Sequence, residues 1–156
     1  MDGEAVKVLF TAPGGETESL WANRVAAGRF ALDNLPWFAY GVSLGDVVEA
    51  EPDGMGMLVF SRVVHKSGNR TVRVILEVVE PGLTWTAEAR GLMDTLVERG
   101  CSYEGANPAF VAVNVPPAVP LDEVVALLDA SGFDWEHADP TYEELFPGES
   151  GEGPEA

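Results

Sequence analysis

Four of the nine basic residues in this 156-residue chain, Arg62, Lys66, Arg70 and Arg73, fall within positions 62–73, with His65, Ser67 and Asn69 between them. The rest of the chain is acidic: 9 Lys+Arg stand against 26 Asp+Glu, a formal charge of −17. Positive charge therefore concentrates in one place. Ser67-Gly68-Asn69 reads as a turn, and turn N–H groups beside an arginine fork suit a carboxylate or phosphate. Ser67, Asn69, Arg70 and Arg73 are thus a candidate anion site. The ordinary account is a solvated strand pair carrying charge outward, with Arg70 paired to Asp46 or Glu51 on a neighbouring strand.

Asp33, Asn34, Trp37 and Tyr40, with Trp21 nearby, form a second candidate. Rings supply contact area, while an amide and a carboxylate fix orientation, so this set would suit a recognition pocket. The competing account is a structural corner: Asp33 and Asn34 satisfy backbone groups, Pro36 holds Leu35 extended, and Trp37 plugs the core.

Other chemistry lacks a pattern. The two histidines, His65 and His137, have no metal-ligand spacing with each other or with Cys101, so neither metal nor cofactor is expected. Glu136 and Asp139 flank His137 and would raise its pKa if close. One cysteine excludes an internal disulfide, and Cys101 reads as a small buried hydrophobe rather than a nucleophile. No GxSxG, P-loop or GxGxxG occurs. Glu49 and Glu51 share a strand face, but carboxylates are too numerous here for such a pair to be specific.

Residues 1–99 carry a balance of −5; residues 100–156 carry −12 and no Lys or Arg. Such a surface repels phosphate backbones and excludes nucleic-acid binding by charge neutralisation. A basic protein partner is expected, with simple solubility as the plainer account of the charge. No apolar run approaches the roughly 18 residues of a membrane span, and no basic start precedes an apolar stretch, so a cytoplasmic protein is expected with no membrane contact.

The elements that must position these residues are short. Val6–Phe10, Ser19–Ala26, Arg29–Leu32, Val47–Glu51 and Met57–Lys66 read as strands separated by Gly, Pro and Asp turns. They predict a small twisted sheet or partly closed barrel over residues 4–66. From Thr71 the order becomes strand, helix, strand, strand, helix, strand. Its helices fall near Trp85–Arg99, capped by Thr84, and Leu121–Ala130, with Phe133–His137 as an edge strand. That is the split βαβ, or ferredoxin-like, order, expected over residues 67–140 with its open face against the N-terminal strands. Residues 141–156, rich in Glu, Gly and Pro, predict a mostly disordered tail whose first turn Tyr142, Leu145 and Phe146 would anchor.

Asp33-Asn34-Leu35-Pro36-Trp37-Phe38-Ala39-Tyr40-Gly41, followed by Gly45-Asp46-Val47-Val48, resembles a bacterial family known as domain of unknown function 4265. Ser67-Gly68-Asn69-Arg70-Thr71-Val72-Arg73-Val74 and Gly100-Cys101 are also similar to its pattern. The resemblance spans about residues 5–135 and implies a bacterial, high-GC source; it carries no activity with it. The expectation is an α+β protein that acts without catalysis, as an acidic inhibitor, immunity factor or accessory subunit. The alternative is a small-ligand sensor or small enzyme with an anion or carboxylate site near Ser67–Arg73 or Trp37.

Overall fold

The computed structural model describes residues 4–80, 82 and 84–148. Five strands, β1 (Ala5–Thr11), β2 (Thr17–Ala26), β3 (Arg29–Leu32), β4 (Val47–Pro52) and β5 (Leu58–His65), make a closed barrel. Consecutive strands pair antiparallel, and β1 closes on β5 in parallel through Val8–Leu58 and Leu9–Val59. Closure removes the exposed edges a five-stranded sheet would otherwise offer. Successive side chains alternate between faces, so Val8, Phe10, Leu20, Ala22, Phe30, Leu32, Val48 and Ala50 fill one core. Phe10 stacks on Phe60 there, with centroids 4.6 Å apart. Hairpin signatures in the sequence announce neighbouring strands, but the β1–β5 contact that closes the barrel has none.

The second layer begins at β6 (Arg70–Ile75) and continues through a short ladder of β7 (Val78–Val79) and β8 (Thr84–Trp85). Helix α1 (Ala87–Glu98), strands β9 (Ser102–Gly105) and β10 (Phe110–Val115), helix α2 (Leu121–Ser131) and strand β11 (Asp134–Asp139) follow. The four long-range strands form an antiparallel sheet in the order β11-β6-β10-β9. Val72, Val74, Val111, Val113 and Val115 pack on Ala89, Leu92, Met93, Leu96, Val124 and Leu128. The protein is thus a mixed α+β fold of mostly antiparallel sheets.

Helix α1 starts two residues later than its pattern predicts. Thr86, not Thr84, is the cap, and its hydroxyl accepts from the Ala89 N–H; Thr84 is held in the β7–β8 ladder instead. The first turn of the tail is a short helix. Thr141 and Glu144 form a reciprocal capping box that starts α3 (Tyr142–Leu145). Tyr142 and Phe146 then lie with ring centroids 4.8 Å apart. The acidic remainder of the tail expected to be disordered, residues 149–156, lies outside the described residues. No helix among the described residues is long and apolar enough to cross a membrane.

The sheet face opposite the helices carries Thr71, Arg73, Phe110, Asn114, Glu104, Glu136 and Asp139. The connection between β3 and β4, residues 33–46, runs across it and joins barrel to sheet. Leu35, Ala39 and Val42 of this connection are buried.

Candidate functional site

The connection has few backbone partners of its own, so its N–H groups must be satisfied by side chains. Glu18 on β2 supplies most of them. Its Oε1 accepts from the Trp37 N–H at 2.9 Å, and its Oε2 from those of Phe38 and Ala39 at 2.9 and 2.7 Å. Three successive N–H groups around one carboxylate form an anion nest, filled here from within the chain. On the sheet side, Glu104 accepts from the Leu35 N–H at 3.3 Å, and its carbonyl from Trp37 Nε1 at 3.3 Å. Asn34 Oδ1 accepts from the Trp21 N–H at 2.8 Å, while the Asp33 N–H donates to the Trp21 carbonyl. Asn34 thus satisfies a backbone group of the corner, as its side chain and the Asp33 N–H tie this segment to Trp21.

Arg73 is the largest fully buried side chain among the described residues, 1% exposed. Its Nη1 donates to the carbonyls of Pro36 and Ala39 at 3.1 and 2.9 Å, and its Nε to Glu136 Oε2 at 2.9 Å. The guanidinium stacks 4.7 Å from the Tyr40 ring, whose hydroxyl donates to Glu136 Oε1 at 2.6 Å. Burial, and then the bond to Glu136, push the Tyr40 phenol above its ordinary pKa. Arg73 Nη2 is buried without a hydrogen-bond partner. A buried donor left in that state costs about 1–3 kcal/mol, more when charged. Arg73 also contributes to the wall of a cleft of about 280 Å³ lined by the turn after β1, Glu16, Trp37, Phe38, Tyr40, Phe110 and Glu136.

Lys66 makes the other centre. Its ammonium donates to Asp46 Oδ2 and Asp139 Oδ2, both at 2.6 Å, and to the Gly41 carbonyl at 3.1 Å, which uses all three protons. Asp46 is fully buried and also accepts from the N–H groups of Ser43 and Ser67 at 2.8 Å. Ser43 Oγ donates to Asp139 at 2.6 Å and lies 2.7 Å from the Thr71 hydroxyl. Partial burial pulls the Lys66 pKa down, but the bonds to Asp139 and Asp46 outweigh it, so the group sits above its ordinary value. An ammonium held charged in this way is not a nucleophile.

The expected anion site at Ser67–Arg73 is split. Ser67 and Asn69 turn inward, both bonding the Leu44 carbonyl, at 2.7 and 2.8 Å. Arg70 reaches the carbonyls of Val115, Pro116 and Val119 rather than Asp46 or Glu51. Only Arg73 comes together with Trp37 and Tyr40, at the cleft. His137 corrects a further expectation: Glu136 is committed to Arg73 and Asp139 to Lys66, so burial governs, lowering the His137 pKa against a weaker opposing pull from Asp129. Cys101 is buried, which raises its thiol pKa despite the nearby Arg70. No group of three or more His, Cys, Asp or Glu among the described residues is arranged to hold a metal.

The segments assembled around this interface are those of a known sequence pattern. The family described as "Domain of unknown function (DUF4265)" matches residues 18–136. The chain belongs to this family. That stretch runs from Glu18, which holds the connection, to Glu136, which holds Arg73, so it takes in the whole Arg73 cluster. Asp139, on the second centre, lies just beyond it. No curated protein matches the chain. Among solved structures it is similar to one titled "Novel crystal structure of a hypothetical protein from Neisseria gonorrhoeae", at 22% identity and a TM-score of 0.69. The match covers 88% of this chain and 94% of that one, and shows a shared fold.

Sequence reasoning missed Glu18, Glu104, Asp46 and Asp139 as the groups that hold this DUF4265 interface. For Asp46 a signal existed: Ser43-Leu44-Gly45-Asp46 has the spacing of a local side-chain-to-backbone turn. Glu18 and Asp139 carry no such local mark, because their partners lie far along the chain.

Proposed function

We propose that the protein is a non-enzymatic binding protein of the bacterial cytoplasm that acts by contact with a basic protein partner, as an inhibitor, immunity factor or accessory subunit. The observation that carries this reading is the outer surface of the helical layer. Glu88, Asp94 and Glu98 on α1 and Asp122, Glu123 and Asp129 on α2 are exposed there, against Arg90 and Arg99 alone. Arg99 is already paired with Glu123 at 2.8 Å, and Val97, 49% exposed, sits among these acids. An acidic field around an apolar spot steers a basic surface into place and gives it something to desolvate. We further read the β6-α1-β9-β10-α2-β11 order as a ferredoxin-like unit, an architecture that by itself assigns no activity.

The test is affinity capture from source-cell lysate, with the native chain beside a variant carrying Asp94→Asn, Asp122→Asn, Glu123→Gln and Asp129→Asn. The reading expects basic proteins held by the native chain and lost from the variant. Equal retention by both, or none by either, contradicts it.

A further inference from the structure

We propose that the end of the sheet left bare by the β3–β4 connection docks an extended segment of a protein partner, in which one bulky apolar side chain is flanked by Lys or Arg. Along β6, Thr71, Arg73 and Ile75 point to the same side, opposite α1 and α2. Thr71 and Arg73 are covered by residues 36–43 and are 0% and 1% exposed, whereas Ile75 is 53% exposed. The cross-strand neighbours of Ile75 are Phe110 on β10 and Asp134 on β11. Phe110 is half-buried and meets the exposed Phe38 with ring centroids 6.0 Å apart. Phe38, Phe110 and Ile75 thus form a continuous apolar strip at the sheet end, a surface that gains from being covered.

Charge decides what covers it. A cleft of about 280 Å³ takes in Phe38, Phe110, Glu16 and Glu136, and one of about 440 Å³ takes in Ile75, Phe133, Glu77 and Asp134. Glu16, Glu77 and Asp134 are exposed and make no ion pair among the described residues. Arg73 is the only basic residue lining either cleft among the described residues, and it is buried and paired with Glu136. Unpaired carboxylates on both sides of an apolar strip select cations on both sides of an apolar side chain. A second copy of this chain does not fit, because a symmetric contact would set the same carboxylates against one another. The inference rests on the basic partner proposed above and gives that partner an apolar anchor on the face opposite the helical layer.

The test is an NMR titration of the full chain with three acetylated, amidated pentapeptides, KSLSK, ESLSE and KSSSK, whose first, third and fifth side chains share one side when extended. Saturable shifts at the Ile75 methyl groups and the Phe110 amide are expected with KSLSK, and binding at least about fivefold weaker with the other two. Ile75→Ser and Asp134→Asn, both at exposed positions, should each weaken KSLSK about three- to fivefold. ESLSE or KSSSK binding as well as KSLSK overturns the proposal. So does the absence of shifts at Ile75 with KSLSK, or KSLSK binding unchanged in both variants. KSLSK shifts at Val97 of α1 in place of Ile75 would overturn this face while leaving the reading of a basic partner standing.

Discussion

Lys66 Nζ lies 2.6 Å from Asp139 Oδ2, so the residue that follows the last barrel strand is ion-paired with the residue that ends the last sheet strand. Asp46, the residue just before β4, shares the same ammonium at 2.6 Å. Two nearly buried carboxylates thus depend on one half-exposed cation to hold the two layers in register.

Lys66→Met should destabilise the protein by about 2 kcal/mol in urea unfolding. That is below the 3–5 kcal/mol of a fully buried broken pair, because part of the lysine side chain is in water. Adding Asp139→Asn to it should cost less than the two single changes summed, since they share the interaction. The sign of the pH effect follows from a raised lysine pKa. The contribution of the pair is intact below the ordinary lysine value of 10.5 and is lost as pH rises through the higher folded value. Native protein should therefore lose stability above about pH 10 more steeply than Lys66→Met.

Glu18→Ala removes the acceptor for three backbone N–H groups and should cost about 2–3 kcal/mol. Glu18→Gln keeps one carbonyl oxygen and should cost about half as much. Amide exchange at Trp37, Phe38 and Ala39 should accelerate in both variants more than exchange in the helical core. Uniform acceleration would assign the effect to global stability alone.

Much of the local structure is legible in the sequence. Alternating valines mark β6 and β10, the apolar stripes mark α1 and α2, and Gly100 and Gly132 end them with positive φ. The aromatic connection is also recognisable as a corner, and Asn34 acts there as a backbone acceptor. What the sequence leaves out is pairing at a distance. Arg73 and Glu136 are directly opposite on β6 and β11, yet nothing in either segment names the other. Arg70 and Arg73 look equivalent three residues apart. Strand geometry puts them on opposite faces, one toward the loop after β10 and the other beneath residues 36–40.

His137 should make the protein acid-sensitive. Its folded pKa lies below the ordinary 6.5, so the unfolded imidazole takes up a proton that the folded one resists. The stability it contributes is whole above about pH 6.5 and erodes as pH falls below it. His137→Phe should flatten the stability profile below about pH 6.5, measured by thermal unfolding. An unchanged slope would remove His137 from the account.

Gly45 has a φ of +85°, and a Cβ there would lie 3.1 Å from Ser67 Cβ. Gly15 has a φ of +96° but open space around it. Gly15→Ala should therefore cost about 1 kcal/mol of conformational strain, and Gly45→Ala about 2 kcal/mol or more, because Ser67 must also give way.

The acidic helical layer is the centre of this account, and ionic strength reads it most directly. The measurement is the association rate of a captured partner with the immobilised native chain, at low and at high salt. Steering by the α1–α2 surface predicts that this rate falls at least about tenfold across that range while dissociation changes little. An association rate independent of salt would contradict it.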